Sequence, residues 1–412
     1  MTDDNQKFLN YVILSQCFGQ IASLTFHNGV MFTYFDSLNS GESNLILLLK
    51  LPALVGMLMI LPLAFWADRF GKKKLGQAGN GIQVIGVGLL ILAPWFIGFQ
   101  IGALYIGVLV FAIGCALFNS SWFALLDPLV SKDQRGPFFA KMRTCWKFTG
   151  IMFAFLAQYM LGVGGTPMIF QLLIIVFVFS IVRMYFYHNI AELEKPEEVH
   201  KKTNFRKELG SLIEDKSFKR YSIFRFCFPL MTGCIALIFN LYEKKFMGFG
   251  PDDIVFMGNL MFIGSICGFW IGARLVKSYT EPQVFMMTTT VIALCCICFP
   301  LHGFIPVSSL VFAGIVTFIY GCTSAVFGIS CTSLMLALLQ PERKSLASSF
   351  CIAVTQLGGA LSGIFAALVV KKDWGLEQMA GYDNIYSIIL LCSVIPLPFV
   401  TKFLTSGLEG RN

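Results

Sequence analysis

Lys147 stands about ten residues into an apolar run that begins after Gly136, with Arg143 one turn before it. At 1.5 Å per residue, a helix starting at Gly136 would place Lys147 roughly 15 Å along its axis. A cation at that depth in a membrane is expensive without a partner. It attracts an anionic or hydroxyl-rich group, or else it snorkels to the surface or pairs internally. Gln158 shares its helical face, through Gly150 and Ala154. Gln16, Gln20, Ser23, His27 and Tyr34 form a second stripe, and Arg225, Thr232, Ala236, Asn240 and Glu243 a third. Asn119, Tyr320, Ser324 and Gln356 add polar groups inside further apolar runs. The chemistry on offer is recognition of a small solute by charge and hydrogen bonds. His27 can exchange protons near neutral pH, or it is a satisfied core histidine. No Asp or Glu sits clearly in the middle of a run, so His27, Asp36 and Glu243 are the candidates for carrying a proton.

No nucleophile–base pair is evident, so the expectation is a protein that is not an enzyme. No zinc-type spacing of Cys and His appears either, and neither a metal nor a cofactor is expected. The thirteen cysteines, such as Cys227, Cys234, Cys295, Cys296 and Cys298, fall mostly in apolar runs and read as small apolar packing.

The elements that must hold these residues follow from composition. Only 13% of residues are charged, against about 25% in an average soluble domain. Hydropathy divides the chain into about twelve apolar spans, at 8–34, 45–66, 75–96, 101–126, 138–161, 168–187, 218–241, 254–276, 284–301, 308–339, 346–370 and 385–404. In lipid every backbone polar group must be satisfied within its own segment, and the runs do not alternate as barrel strands do. The expected fold is therefore an all-α membrane protein. The span at 308–339 is too long for one perpendicular crossing, so it tilts or projects beyond the bilayer. The polar start, Met1 to Lys7, is followed by a run without a small-residue cleavage site, which reads as a first span.

Charge sets the orientation. With both termini inside, the outer side holds Lys50, Lys244, Lys245, Lys371 and Lys372, five of 31 basic residues. Such a bias marks the basic side as cytoplasmic. It also explains the net charge of +8 without nucleic acid, because the basic residues sit in short loops. The hairpin Asp68-Arg69-Phe70-Gly71-Lys72-Lys73-Lys74, between the second and third spans, is the strongest such marker.

The largest polar segment splits the chain into 1–188, a linker at 189–217, and 218–412. Phe205, Leu209, Leu212 and Ile213 recur at helical spacing in the linker, as in an amphipathic helix on the membrane face or a solvated linker helix. The halves resemble each other. Ala124-Leu125-Leu126-Asp127-Pro128 ends the fourth span, and Ala337-Leu338-Leu339-Gln340-Pro341 ends the tenth. Arg274 and Lys277 end the eighth span where the hairpin ends the second. Two matches in register favour a duplicated six-helix unit, giving two pseudo-symmetric bundles.

On these residues the chain resembles the major facilitator superfamily over nearly its whole length. The family's hairpin pattern is Gly, three residues, Asp, Arg, any residue, Gly, then basic residues. Asp68, Arg69, Gly71, Lys72, Lys73 and Lys74 match it, and Ala64 replaces the leading Gly. Val276 stands where the second half would repeat the acid. Arg135-Gly136 is similar to the family's usual turn after span four. The resemblance implies a secondary transporter with a cavity near the midplane and alternating access. It implies a gating role for Asp68, Arg69, Gly71, Lys72 and Lys73, with Asp68 as a latch near the start of span eleven. Gly71 would permit the turn, and the basic residues also serve as orientation charges. It further implies a cavity lined by Gln16, Gln20, His27, Asn119, Arg143, Lys147, Gln158, Arg225, Asn240, Tyr320 and Gln356. The expected cargo is a small polar organic solute, sugar-like or anionic, with a proton or other ion as a coupling partner. Multidrug efflux and a receptor-like role without transport are the alternatives. A monomer in a bacterial inner membrane is expected.

Overall fold

The computed structural model describes residues 3–27, 29–126, 129, 135–191, 210, 214–338, 344–371 and 384–405. Every regular element among them is helical. In chain order the helices are α1 (Asp3–Thr25), α2 (Val30–Ser37), α3 (Glu42–Phe70), α4 (Lys72–Leu92), α5 (Gln100–Leu126), α6 (Arg135–Gly164) and α7 (Met168–His188). There follow α8 (Lys216–Thr232), α9 (Ile235–Phe246), α10 (Pro251–Ser278), α11 (Glu281–Cys298), α12 (Ser309–Leu338), α13 (Lys344–Lys371), α14 (Ile385–Val394) and α15 (Leu397–Thr405). Ten segments among the described residues are long and apolar enough to cross a membrane. The other two expected spans are α1 with α2, which is broken, and α6, whose first half carries Lys141, Arg143 and Lys147. The fold is all-α and matches a twelve-span membrane protein. The 30 residues of α12 are about 45 Å of helix against a hydrocarbon core of about 30 Å.

Three spans expected as continuous helices are interrupted, each at a residue that weakens the hydrogen-bond ladder. Between α1 and α2 the helix stops at Thr25 and the next begins at Val30, and Gly29 takes φ 87, where a side chain would be strained. Between α8 and α9 it turns at Gly233, whose N–H reaches the Pro229 carbonyl at 2.8 Å, while Pro229 itself lacks a donor. Between α14 and α15 lies Pro396, immediately before the new helix, where it has no N–H to place in a ladder and its carbonyl accepts the Val400 N–H at 2.9 Å. Lys50 also differs from its expected place in an outer loop: it lies eight residues inside α3. The linker residues Phe205, Leu209, Leu212 and Ile213 lie outside the described residues, as do Asp127 and Gln340.

The chain forms two compact units. Unit 1 comprises Met1–Ser40 and Leu48–Lys201; unit 2 comprises Gly41–Leu47 and Lys202–Asn412. In unit 1, α4 and α5 approach backbone to backbone. A Cβ on Gly79 would stand 2.7 Å from Phe118 N, and one on Gly114 would stand 2.6 Å from Gln83 N. Helices in lipid gain little from the hydrophobic effect, so close approach through small residues is what joins them. A core of Leu9, Val12 and Ile13 from α1, Phe118 and Trp122 from α5, and Tyr187 from α7 fills one end.

In unit 2 the same device joins α10 to α12 at Gly264, Gly268 and Gly321, with the Ser265 hydroxyl donating to the Gly321 carbonyl at 3.2 Å. An aromatic core adds Phe224 and Phe228 on α8, Phe285 on α11 and Phe327 on α12, with the Phe228 and Phe327 rings stacked at 3.6 Å. Glu42, in the first turn of α3, also belongs to unit 2. Its carboxylate pairs with the Lys245 ammonium and accepts the Tyr386 hydroxyl.

Candidate functional site

The interruption between α1 and α2 positions His27. It ends the last turn of α1, with its N–H on the Leu24 carbonyl at 2.8 Å, and its side chain is exposed. Two ammonium groups of unit 1 act on it electrostatically, Lys50 from α3 and Lys147 from α6. Both are half-buried, and the Lys147 Nζ lies 4.8 Å from the centroid of the Trp146 ring. Depth along the helices agrees with that grouping. Lys50 lies eight residues, about 12 Å, from the start of α3. Lys147 lies twelve residues, about 18 Å, from the start of α6. The second and fifth spans of an alternating chain start from opposite faces, so in a core of about 30 Å these two depths coincide.

The remaining expected lining of unit 1 divides. Gln20 is half-buried and donates its amide to Gln16 Oε1 at 3.1 Å; Gln16 itself is buried. Gln158 is half-buried and Asn119 exposed. Tyr34 leaves the stripe to which its spacing assigned it. It is buried, and its hydroxyl donates to the Leu90 carbonyl at the end of α4. The helical phase of α1 does not carry past Gly29, which accounts for the difference. The side chain of Arg143 lies outside the described residues.

In unit 2 the stripe read from Arg225 to Glu243 is likewise cut after Thr232. Arg225 is half-buried beside the Cys331 thiol, with Nε buried and without a partner. Beside it the Tyr221 hydroxyl donates to the Cys331 carbonyl at 2.7 Å. Asn240 and Gln356 are half-buried, and the Gln356 Oε1 has no hydrogen-bond partner. Tyr320 is buried against the Phe239 ring, with Ser324 beside it. Glu243 is fully buried, and neither carboxylate oxygen has a hydrogen-bond partner. Asp36, near the end of α2, is half-buried.

In the hairpin, Asp68 and Arg69 fall in the last turn of α3, and their side chains lie outside the described residues, as do those around Ser345. Gly71 joins α3 to α4 at φ 92 and ψ 130, a region open essentially to glycine. Lys72 and Lys73 open α4, both half-buried.

Two intramembrane cations escaped the stripes. Lys50 was assigned to a loop, and Arg183 lies within the apolar run at 168–187. An ionisable residue inside a span is itself a signal, whatever its helical phase.

The family model described as Major Facilitator Superfamily matches residues 13–367. No curated protein matches the chain. Among solved structures, the nucleoside transporter NupG aligns with a TM-score of 0.71 at 15% identity, covering 99% of this chain and 100% of that one. A D-xylose-proton symporter aligns at 0.73 and 13%, covering 95% and 97%. A bacterial homologue of the iron transporter ferroportin, in an inward-facing state, aligns at 0.71 and 12%, covering 97% and 99%. At these identities the likeness concerns the fold.

Proposed function

The chain belongs to the major facilitator superfamily, and from that premise we propose that it carries a small polar organic solute, sugar-like or anionic, across a bilayer by alternating access. The grouping of His27, Lys50 and Lys147 in unit 1 carries this reading. Two ammonium groups brought from two helices to one depth, with the His27 imidazole within their electrostatic reach, suit a negative or hydroxyl-rich solute inside the membrane. The same charges repel a lipophilic cation, which disfavours multidrug efflux. Gln16, Gln20, Asn119, Arg143 and Gln158 extend the proposed lining in unit 1, and Arg225, Asn240, Tyr320 and Gln356 supply that of unit 2. The hairpin residues Asp68, Arg69, Gly71, Lys72 and Lys73 take the gating role. His27, Asp36 and Glu243 are the proposed places for a coupled proton. The basic loops support a bacterial inner membrane with both termini on the cytoplasmic side.

The test begins with a thermal-shift screen of detergent-purified protein against sugars, sugar acids, nucleosides and dyes, because a specific ligand raises stability by mass action. Uptake of the hit into proteoliposomes is then compared for wild type and Lys147→Ala. A charge-assisted hydrogen bond contributes about 1.5–3 kcal/mol, so uptake at low solute concentration should fall roughly 10- to 100-fold. Undiminished uptake by Lys147→Ala would overturn the site assignment.

A further inference from the structure

Arg183 plays no part in the lining just proposed. It lies five residues before the end of α7 in unit 1 and is only 5% exposed. One guanidinium nitrogen, Nη1, donates to Gln83 Oε1 on α4 at 2.6 Å. The guanidinium carbon stands 3.8 Å from the centroid of the Phe118 ring on α5. An amide dipole and a ring quadrupole disperse the charge without neutralising it. The titratable neighbours are Cys115 and Tyr187, and among the described residues no carboxylate pairs with the guanidinium.

A second observation lies on the facing helix. Asn80 of α4 is 1% exposed, and both its Nδ2 and its Oδ1 lack a hydrogen-bond partner. The Arg183 Nε is buried and unpartnered as well. The register brings these groups to the same stretch of the bundle. A Cβ on Gly76 would collide with the Tyr187 hydroxyl, and Gln83 meets Arg183, so α4 and α7 run antiparallel here. Asn80 falls between these two contacts, one turn from each. Among the described residues the stretch thus holds one positive charge with no carboxylate against it, and the Arg183 Nε and both polar atoms of Asn80 are left unpartnered. Buried polar groups are ordinarily satisfied, and a buried charge is ordinarily paired.

We propose that the interior of unit 1 between α4 and α7 binds one chloride-sized anion, held by Arg183 and Asn80. Space selects a small ion. Gly19 of α1 is packed against the Arg183 side chain and Gly76 against Tyr187, and this close packing on two sides favours a monatomic anion over a carboxylate- or phosphate-bearing molecule. The route is short, because Arg183 is only about 7.5 Å along α7 from His188. His188 Nδ1 lies 2.9 Å from Gln77 Nε2, which puts that end of α7 beside the start of α4 and its basic residues. The anion neutralises the guanidinium and ties α7 to α4, independently of the solute carried.

The experiment is thermal unfolding of the full-length protein in detergent, titrated with sodium chloride against sodium gluconate at constant ionic strength. The unfolding midpoint should rise with chloride and saturate, bromide should replace chloride, and sulfate should not. Arg183→Gln and Asn80→Leu should each abolish or weaken the chloride-dependent rise whatever their basal midpoint. If Arg183→Gln does not fold, Asn80→Leu still decides. Equal midpoints for wild type in chloride and gluconate, or a rise undiminished in the variants that fold, would overturn the proposal. Solute uptake is not among the readouts, so failure here leaves the transport reading untouched.

Discussion

Gly79→Ala probes the contact on which unit 1 is built. The added Cβ would stand 2.7 Å from Phe118 N and 2.8 Å from Gly114 O. Both are backbone atoms, so no side-chain rotation relieves the clash. Carbon contacts are comfortable at about 3.5–4.0 Å, so α4 and α5 must separate by roughly 1 Å along that line. The contact is reciprocal, because a Cβ on Gly114 would itself lie 2.7 Å from Gly79 O. Overpacking of this kind costs about 1–3 kcal/mol.

Alanine is also the better helix former, by about 0.5–1 kcal/mol over glycine, and that gain opposes the clash. Gly81, on the same helix, isolates the gain: nothing lies within 4 Å of where its Cβ would stand. Gly81→Ala should therefore be slightly more stable than wild type. Gly79→Ala should be less stable, the two variants differing by the overpacking cost itself, about 1–3 kcal/mol. The assay is thermal unfolding in one detergent at one scan rate, since such midpoints depend on both. If Gly79→Ala unfolds at or above the temperature of Gly81→Ala, α4 and α5 are not in backbone contact.

Two further substitutions have defined outcomes. Tyr386→Phe should lower the unfolding midpoint more than Lys245→Met. The tyrosine hydroxyl donates to the Glu42 carboxylate, a bond of about 1.5–3 kcal/mol. The Lys245–Glu42 pair is about 30% exposed on each side, where solvent leaves roughly 0.2–1 kcal/mol. A double-mutant cycle of Tyr386→Phe with Glu42→Gln reads the coupling, and strictly additive losses would show that the two do not interact. Gly71→Ala should cost about 1–3 kcal/mol because φ 92 with ψ 130 excludes a Cβ; an unchanged midpoint would mean that the hairpin adopts another conformation.

The spans were legible because lipid imposes one rule on all of them. A run of about twenty apolar residues must be a helix, and basic residues mark its inner end. The interruptions were legible only in part. Pro229, Gly233 and Pro396 stand in the sequence as punctuation, but hydropathy averages over them. The turn after Thr25 has no proline, and it depends on a glycine at φ 87. Once the helix breaks, phase arithmetic from Gln16 no longer says where Tyr34 points, and Tyr34 goes to the α4 backbone instead. The grouping of His27 with Lys50 and Lys147 needs three helices in place, which no single periodicity contains.

A polar residue inside a span points away from lipid, but two destinations satisfy that requirement. One is a wet lining, where the side chain keeps some exposure, the place proposed for His27, Lys50 and Lys147. The other is the packed interior between helices of one unit, where Arg183, Asn80 and Gln83 lie. Helical phase alone cannot separate them. Neighbouring glycines can. Asn80 and Gln83 are flanked by Gly76, Gly79 and Gly86, each of whose missing Cβ is the space taken by another helix. Lys147 has a single glycine, Gly150, within one turn and stands beside Trp146. Polar groups set among glycines, and a charge packed against one as Arg183 is against Gly19, are groups that the fold has closed around, so a partner for them must be small. A charge set among large side chains at a half-exposed position, as at Lys147, is the kind proposed to meet a solute that comes and goes.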